Sequence, residues 1–403
     1  MTADLRTRIA RYLAPAAFAT PITTRVDDSP GWAPLGTLLD RDWAELYQLQ
    51  TDALLAWRTN PLARRILELQ TDYIVGDGIT LSSQYRPLQH FIEDFWNHPK
   101  NLMALRLPEM CLELARAGEL FPALHHDPAG MSYVRFVPAT AIDEVRWQTG
   151  DYETELEYHE RTPDLSGRWW PAPANPAARR ADSILLHYAV NRPIGCTRGD
   201  SDLAPIVTWL KRYSGWLEDR ARLNWAARVF LWFVTVPTNQ VETAKKKYAV
   251  TPEPGSVIVK DSAETWEMQT PNLQGRDASA DGRQLRYMIG AGAGVPLHML
   301  GEGENTNLAT ATAMQDPTMR QYRRRQLYFC HVLKDLVVTA YNHYTELHDQ
   351  SRRQVTHDML AAAVPEINRD DNGALAIAAR DIVQMLAVLR DELRKSGIER
   401  RAN

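Results

Sequence analysis

Apolar positions along this chain first fall into a helical rhythm at Asp42. Trp43, Leu46, Tyr47, Leu54 and Trp57 recur at helical spacing, with Asp40 or Asp42 placed to cap the helix they predict. Asn60-Pro61 restarts a helix, since proline suits a first helical turn, and Ala63, Ile66, Leu67 and Ile74 continue its stripe. The glycines of Val75-Gly-Asp-Gly-Ile79 predict a turn into a short strand, and helices are expected around Leu88 to Trp96 and Leu107 to Ala117. Gly118 to Leu124 and Tyr133 to Val137 read as strands, residues 142–160 as a hairpin or two, Trp170 to Arg180 as a surface loop, and Ile184 to Val190 as a buried strand. This first half is a mixed α+β domain.

The middle of the chain changes character. Leu203, Ile206, Val207, Leu210, Tyr213, Trp216 and Leu217 keep one helical stripe from Leu203 to about Val229, a rod of about 40 Å. Its polar face carries Lys211, Arg212, Glu218, Asp219, Arg220 and Arg222. Composition then turns β-rich at Phe230 to Val236, passes through a short helix from Glu242 to Tyr248, and returns to strands at Ser256 to Val259 and Thr265 to Met268. That is a small α/β insert. A second helix is expected from about Ala278 to Gly290, ended by Gly292, Gly294 and Pro296. The polar loop Gly301 to Asn307 leads into a long helix through Leu327, Leu333, Val337 and Tyr344, in which Pro317 predicts a kink. An extended piece at Ala363 to Ile367 and a helix from about Ala374 to Arg394 complete the pattern.

Charge and cysteine usage narrow the classes. The 46 Lys and Arg against 50 Asp and Glu leave a formal net charge of −4, so no basic excess advertises tight nucleic-acid binding. Cys111, Cys196 and Cys330 lie far apart with no CxxC pair, which points to reduced thiols rather than a disulfide framework or zinc cluster. No apolar run reaches the roughly 18 residues of a membrane span, and the N-terminal 26 residues lack the apolar centre of a signal peptide, reading instead as an arm or docking segment.

Enzymatic motifs are weak. His126-Asp127, His348-Asp349 and His357-Asp358 are the best case for metal-dependent phosphohydrolysis, but about one such dipeptide arises by chance in a chain of this composition. No second His or Asp at helical spacing completes a cluster. Gly290 to Gly294 lacks the Lys-Ser/Thr of a phosphate-binding loop, and no GxSxG or cysteine nucleophile motif is present. No catalytic residue, metal site or cofactor is assigned.

The order of elements, with several local strings, resembles the portal proteins of tailed phages, of the HK97-like kind. The strings are Arg58-Thr-Asn-Pro-Leu-Ala-Arg-Arg65 before Val75-Gly-Asp-Gly-Ile79, Arg116-Ala-Gly-Glu-Leu-Phe121, His187 through Arg192, Arg198-Gly-Asp-Ser-Asp-Leu-Ala-Pro205, and Leu285 to Pro296 ahead of a Gly/Asn loop. Their order over about 350 residues, rather than any one of them, carries the resemblance. It implies an α+β fold divided into an N-terminal arm (1–40), a wing (41–202), stem helix 1 (203–229), a clip (230–272), stem helix 2 (273–291), a tunnel loop (292–308), a long kinked wing helix (309–350) and a terminal strand with a crown helix (351–403). It further implies a ring of twelve subunits at one capsid vertex, assembled in a bacterial cytoplasm, that passes double-stranded DNA during packaging and ejection. The expected partners are the terminase large subunit (a separate packaging ATPase), a head-tail adaptor, and the major capsid and scaffold proteins, with no membrane. The competing reading is another structural virion protein, a head-tail adaptor or minor capsid subunit.

Within that reading Gly301, Glu302, Gly303, Glu304, Asn305, Thr306 and Asn307 are the expected channel loop. It carries two glutamates and no basic residue, which suits DNA that must slide rather than stick. Lys245, Lys246 and Lys247, on the insert's short helix, face either DNA at the narrow mouth or the motor, or are simply solvated. Arg320, Arg323, Arg324 and Arg325 form a second basic cluster, expected to pair with acidic residues of a neighbouring subunit rather than with DNA, Arg320 and Arg324 sharing a helix face.

Overall fold

The computed structural model describes residues 40–127, 131–162, 166–226, 231–237, 241–247, 265–269, 275–301, 308–348, 353–367 and six positions between 380 and 388. The expected arm up to residue 39 lies outside them, as does most of the expected terminal helix, whose described positions 380, 382–385 and 388 are helical.

Helix α1 (Trp43–Thr59) ends and α2 (Pro61–Val75) begins at one residue. The Asn60 amide donates to Ala56 O, while its side-chain oxygen accepts from the amides of Leu62 and Ala63 at 2.9 and 3.2 Å. Asp42 occupies the N-cap position of α1 but makes no capping hydrogen bond, and Asp40 is used elsewhere. The pair leads on to β1 (Thr80–Ser82), α3 (Arg86–Asn97) and α4 (Met103–Ala117).

Strand β2 (Glu119–His126) organises the rest of this half. It pairs antiparallel with β3 (Ser132–Val137) on one side and with β7 (Ser183–Leu185) and β8 (Tyr188–Ala189) on the other. Because both of its faces are covered, β2 carries an unbroken apolar run from Leu120 to Leu124 rather than alternating. Leu120 and Leu124 join the largest core, built with α3, α4 and the long helix α8 (Leu308–His348). Phe121 and Ala123 join a second core against the sheet β4 (Ile142–Gln148), β5 (Asp151–Glu160) and β6 (Arg168–Pro171).

Two stretches differ from the sequence expectation. The segment read as a surface loop from Trp170 onward begins inside β6, which pairs with β5; Trp170 is buried there and its indole N–H donates to Glu160 at 2.7 Å. A tryptophan next to a polar run still has a large apolar ring to hide, and the sheet edge supplies the cover. The single strand expected at Ile184 to Val190 is split into β7 and β8, because His187 between them turns inward to two carboxylates, Glu119 and Glu155.

Helix α8 acts as a beam through the largest core and runs without interruption through Pro317. Its Gln326 side chain donates to the carbonyls of Ile74 and Pro365 at 3.0 and 3.1 Å, Tyr328 donates to Ala189 O, and Asp335 accepts from Tyr188. The tail then returns to the start of the chain: β11 (Ala361–Ala363) pairs antiparallel with β1, slightly upstream of the extended piece expected at Ala363 to Ile367.

At the crossing of β2 with the segment after β8, backbone meets backbone. Gly118 has φ +81, and a Cβ there would stand 2.3 Å from Asp200 C; a Cβ on Gly199 would stand 2.4 Å from Gly118 O. Only glycine fits both needs. Gly118→Ala is expected to destabilise the chain by about 3 kcal/mol or more, whereas Gly215→Ala, inside an exposed helix with open space at its Cβ, is expected to stabilise it by up to about 1 kcal/mol, as read by urea denaturation.

Candidate functional site

The paired helices expected to form a stem are α5 (Val207–Ala226) and α7 (Gly275–Ala293). Helix α5 is shorter than the expected 203–229 rod. Residues 201–206 form turns, with the Ser201 hydroxyl accepting from the Leu203 amide at 3.1 Å, and 227–230 lie outside the described residues. The root of α5 is buried: Leu203, Ile206, Val207 and Leu210 pack with Ile289 of α7 and with Ala53, Ala63, Ile66 and Leu67 of the first two helices. Beyond Leu210 none of the α5 side chains described, from Lys211 to Trp225, is buried.

Helix α7 does not stop at its first glycines. It continues to Ala293, past the expected end at Gly290. A Cβ on Gly292 would stand 2.4 Å from Ile206 Cγ2, and one on Gly282 would stand 2.5 Å from the Trp216 ring. These glycines let α7 lie against α5, and the helix ends at Gly294, whose φ is +66. Thr318 of α8 donates to Gly294 O at 2.7 Å, so the turn after α7 is tied to α8.

A buried charge cluster holds the segment leading into α5. Glu119 is fully buried, and Arg198 embraces it with Nε to Oε1 at 2.7 Å and Nη2 to Oε2 at 2.8 Å. The Gly199 amide and the Gln50 side chain also donate to this carboxylate, at 3.0 and 3.2 Å. His187, stacked parallel on Phe121, touches Glu119 at 3.4 Å through Nε2 and Glu155 at 2.9 Å through Nδ1. Tyr158 donates to Glu155 at 2.7 Å. Asp40 accepts from the amides of Thr197 and Arg198 at 2.8 and 3.0 Å, and Asp202 accepts from Asn191 and Arg325, both at 2.7 Å.

The charges in the quartet Glu119, Glu155, His187 and Arg198 cancel only when the imidazole is protonated. Burial opposes ionisation of Glu119, but the Arg198 guanidinium and the His187 contact hold its carboxyl well below the usual range. Burial likewise disfavours charged His187, yet the two carboxylates outweigh it and push its pKa up to about 9.

The residues singled out in the sequence do not converge on one site. Gly301 is exposed and closes a short 3-10 turn over Leu297–Leu300, while Glu302, Gly303, Glu304, Asn305, Thr306 and Asn307 lie outside the described residues, between that turn and Leu308 at the start of α8. The expected loop is therefore narrower than 292–308 at both ends. Strands β9 (Leu231–Thr235) and β10 (Thr265–Gln269) pair antiparallel, with α6 (Val241–Lys247) between them in sequence. On α6, Lys245 pairs with Glu242 at 3.0 Å and Lys246 is exposed; of Lys247 only the backbone is described. The arginines of α8 divide: Arg325 turns inward to Asp202, whereas Arg320, Arg323 and Arg324 are exposed, Arg320 pairing with Asp316 of its own helix at 2.9 Å.

Two of the three His-Asp pairs have structural partners, while of His348 only the backbone is described and Asp349 lies outside the described residues. His126 meets Ser132 and stacks on His343, Asp127 accepts from Tyr133, His357 meets Asp335, and Asp358 accepts from Thr356. Among the described residues no group of three His, Cys, Asp or Glu could hold a metal ion, and no helix is long and apolar enough to cross a membrane. The ionic cluster, in contrast, matches no motif in the sequence. Its one signal is Glu119 placed directly before the apolar run Leu120 to Leu124, a charge that burial obliges to find a partner.

Arg198→Met strands Glu119 and is expected to lower stability by about 3–5 kcal/mol, while Glu119→Leu with Arg198→Met regains most of that in denaturant titrations. His187 has its pKa raised on folding, so its stabilisation is complete below about pH 6.5 and is lost as pH rises through about 9. Wild type should therefore exceed His187→Gln in stability by about 3 kcal/mol at about pH 6, the gap closing toward about pH 10.

No family model matches the sequence, and no curated protein matches it. Solved structures do share the fold. A chain titled as part of the virion of a native gene transfer agent particle aligns with TM-score 0.53 and 11% identity, over 94% of both chains. One from the neck of a native gene transfer agent particle, computed with C12 symmetry, aligns with TM-score 0.51 and 13% identity, over 94% of both. One from the neck of an empty particle, computed with C6 symmetry, aligns with TM-score 0.54 and 12% identity, over 95% of this chain and 96% of that one. This chain thus has an α+β fold similar to that of chains in such particles and their necks.

Proposed function

We propose that this chain is a ring-forming portal subunit, a structural, non-enzymatic component at a capsid vertex through which double-stranded DNA enters and leaves. The observation that carries the reading is the exposed outer half of α5. In the single chain Leu217 and Leu223 are each 46% exposed and Trp225 is 70% exposed, on a helix with no buried side chain among its described positions past Leu210. Helical stability in proteins comes mainly from packing an apolar face, and a long helix whose outer half buries none of its leucines or tryptophans in the single chain offers adjacent copies that area to cover. A head-to-tail contact of this kind repeats and closes into a ring. The likeness to chains from particle necks, one computed with C12 symmetry, supports the same geometry and suggests twelve copies.

In such a ring α5 and α7 surround the channel and the segment 301–307 borders it. Glu302 and Glu304 repeated around the wall would repel phosphate, so that DNA meets few neutralising contacts and slides. The β9–α6–β10 insert, with Lys245 and Lys246, is the docking face for the terminase motor, and the tail connector and capsid proteins are the further partners.

Purified wild-type protein is expected to appear in native mass spectrometry and negative-stain images as a ring with a central hole, twelve-fold in the manner of the C12 neck. Leu217→Asp with Trp225→Asp should abolish the ring and leave the circular dichroism of the subunit unchanged. A wild-type chain that stays monomeric or forms only a closed dimer up to high micromolar concentration overturns the reading.

A further inference from the structure

Two exposed surfaces far apart in the sequence complement one another. On α8, Arg320, Arg323, Arg324, Leu327 and His331 are all exposed and recur at helical spacing, forming a stripe opposite the buried Met319, Tyr322, Gln326 and Phe329. Leu327 continues the face of the three arginines and is 67% exposed. The second surface is the tip of the β4–β5 hairpin. Its two-residue turn, Thr149-Gly150, is flanked by Trp147 and Tyr152, 39% and 36% exposed, and by the exposed carboxylates Asp151 and Glu153. The hairpin is held further along, where Glu155 and Tyr158 enter the buried charge cluster, so its tip is presented on a fixed support.

We infer that the hairpin tip of one copy docks on the arginine stripe of α8 in the next copy, resting on the ring reading above. Each surface offers what the other lacks: acid and aromatic at the tip, basic and aliphatic on the helix. Guanidinium stacking on indole is already used in this sheet, where Arg146 lies 3.6 Å from the Trp169 ring centroid and Arg168 lies 3.5 Å from that of Trp170. The Arg320–Asp316 pair on α8 is an exposed i,i+4 contact, a weak competitor that leaves the arginine available. The two surfaces are different patches of one chain, so their contact is head-to-tail and repeats around a ring rather than closing a dimer. Ring assembly should accordingly weaken as salt screens the exposed charges.

Reciprocal charge reversal tests this. Asp151→Arg with Glu153→Arg, and separately Arg323→Glu with Arg324→Glu, should each raise the subunit concentration for half-assembly by about tenfold or more at physiological salt. The thermal melt of the helix variant should stay close to wild type, and that of the hairpin variant should fall only by the loss of the Asp151 hydrogen bonds to Glu153 N and Thr154 Oγ1. All four changes in one chain should return assembly to within about threefold of wild type, a rescue that two merely damaged surfaces would not give. Rings that form normally with either reversed pair overturn the docking and leave the ring reading standing. Loss of rings without rescue overturns it too, and assigns the arginine stripe to another protein. A wild-type chain that forms no ring removes both.

Discussion

Taking a carboxylate out of water costs several kcal/mol unless partners replace the lost hydration, and this constraint acts on Glu119 at the first residue of β2. The residue is fully buried because β2 is the strand between the two largest cores, with Leu120 facing one and Phe121 the other. Its partners therefore have to come to it. Arg198 arrives from the segment that leads into α5, His187 from the gap between β7 and β8, and Gln50 from α1. One buried charge thereby fixes the path of the chain from the α+β half into the helix pair. The Gly118–Gly199 crossing belongs to the same arrangement, since it brings the two backbones together beside the carboxylate that the guanidinium grips.

From that root outward the structure changes from self-sufficient to incomplete. The first turns of α5 share a core with α1, α2 and α7, and need nothing more. Past Leu210 the described side chains of the helix are partly covered or exposed, although tryptophan and leucine continue along it. The anchored root and the uncovered length of α5 are thus two physically different parts of one helix. Small residues at Gly282 and Gly292 keep α5 and α7 in contact along that length, so the pair behaves as one element.

Element identity was largely legible in the sequence. Helical spacing placed α1 to α5, α7 and α8, and Asn60-Pro61 marked the break between the first two helices. What misled was local chemistry whose meaning depends on distant atoms. Asp40 looked like a helix cap and instead holds the amides of Thr197 and Arg198. Gly292 looked like a terminator and is a contact point inside α7. Trp170 looked like part of a loop and is a core residue on a sheet edge. Of the candidate site, the arginine stripe was visible as a run, but only the structure separates inward-turned Arg325 from its three exposed neighbours.

The sequence by itself determined the succession of elements, the α+β character and the absence of any persuasive catalytic motif, because periodicity and motif spacing are short-range properties written within a few turns of chain. The tertiary structure alone decided which charges are buried together, which glycines bear contacts and which apolar side chains remain uncovered. Glu119 and Arg198 lie 79 positions apart, and Gly118 and Asp200 meet across a similar span. No local pattern encodes such pairings, since desolvation and steric fit act on whatever the fold brings within a few ångströms.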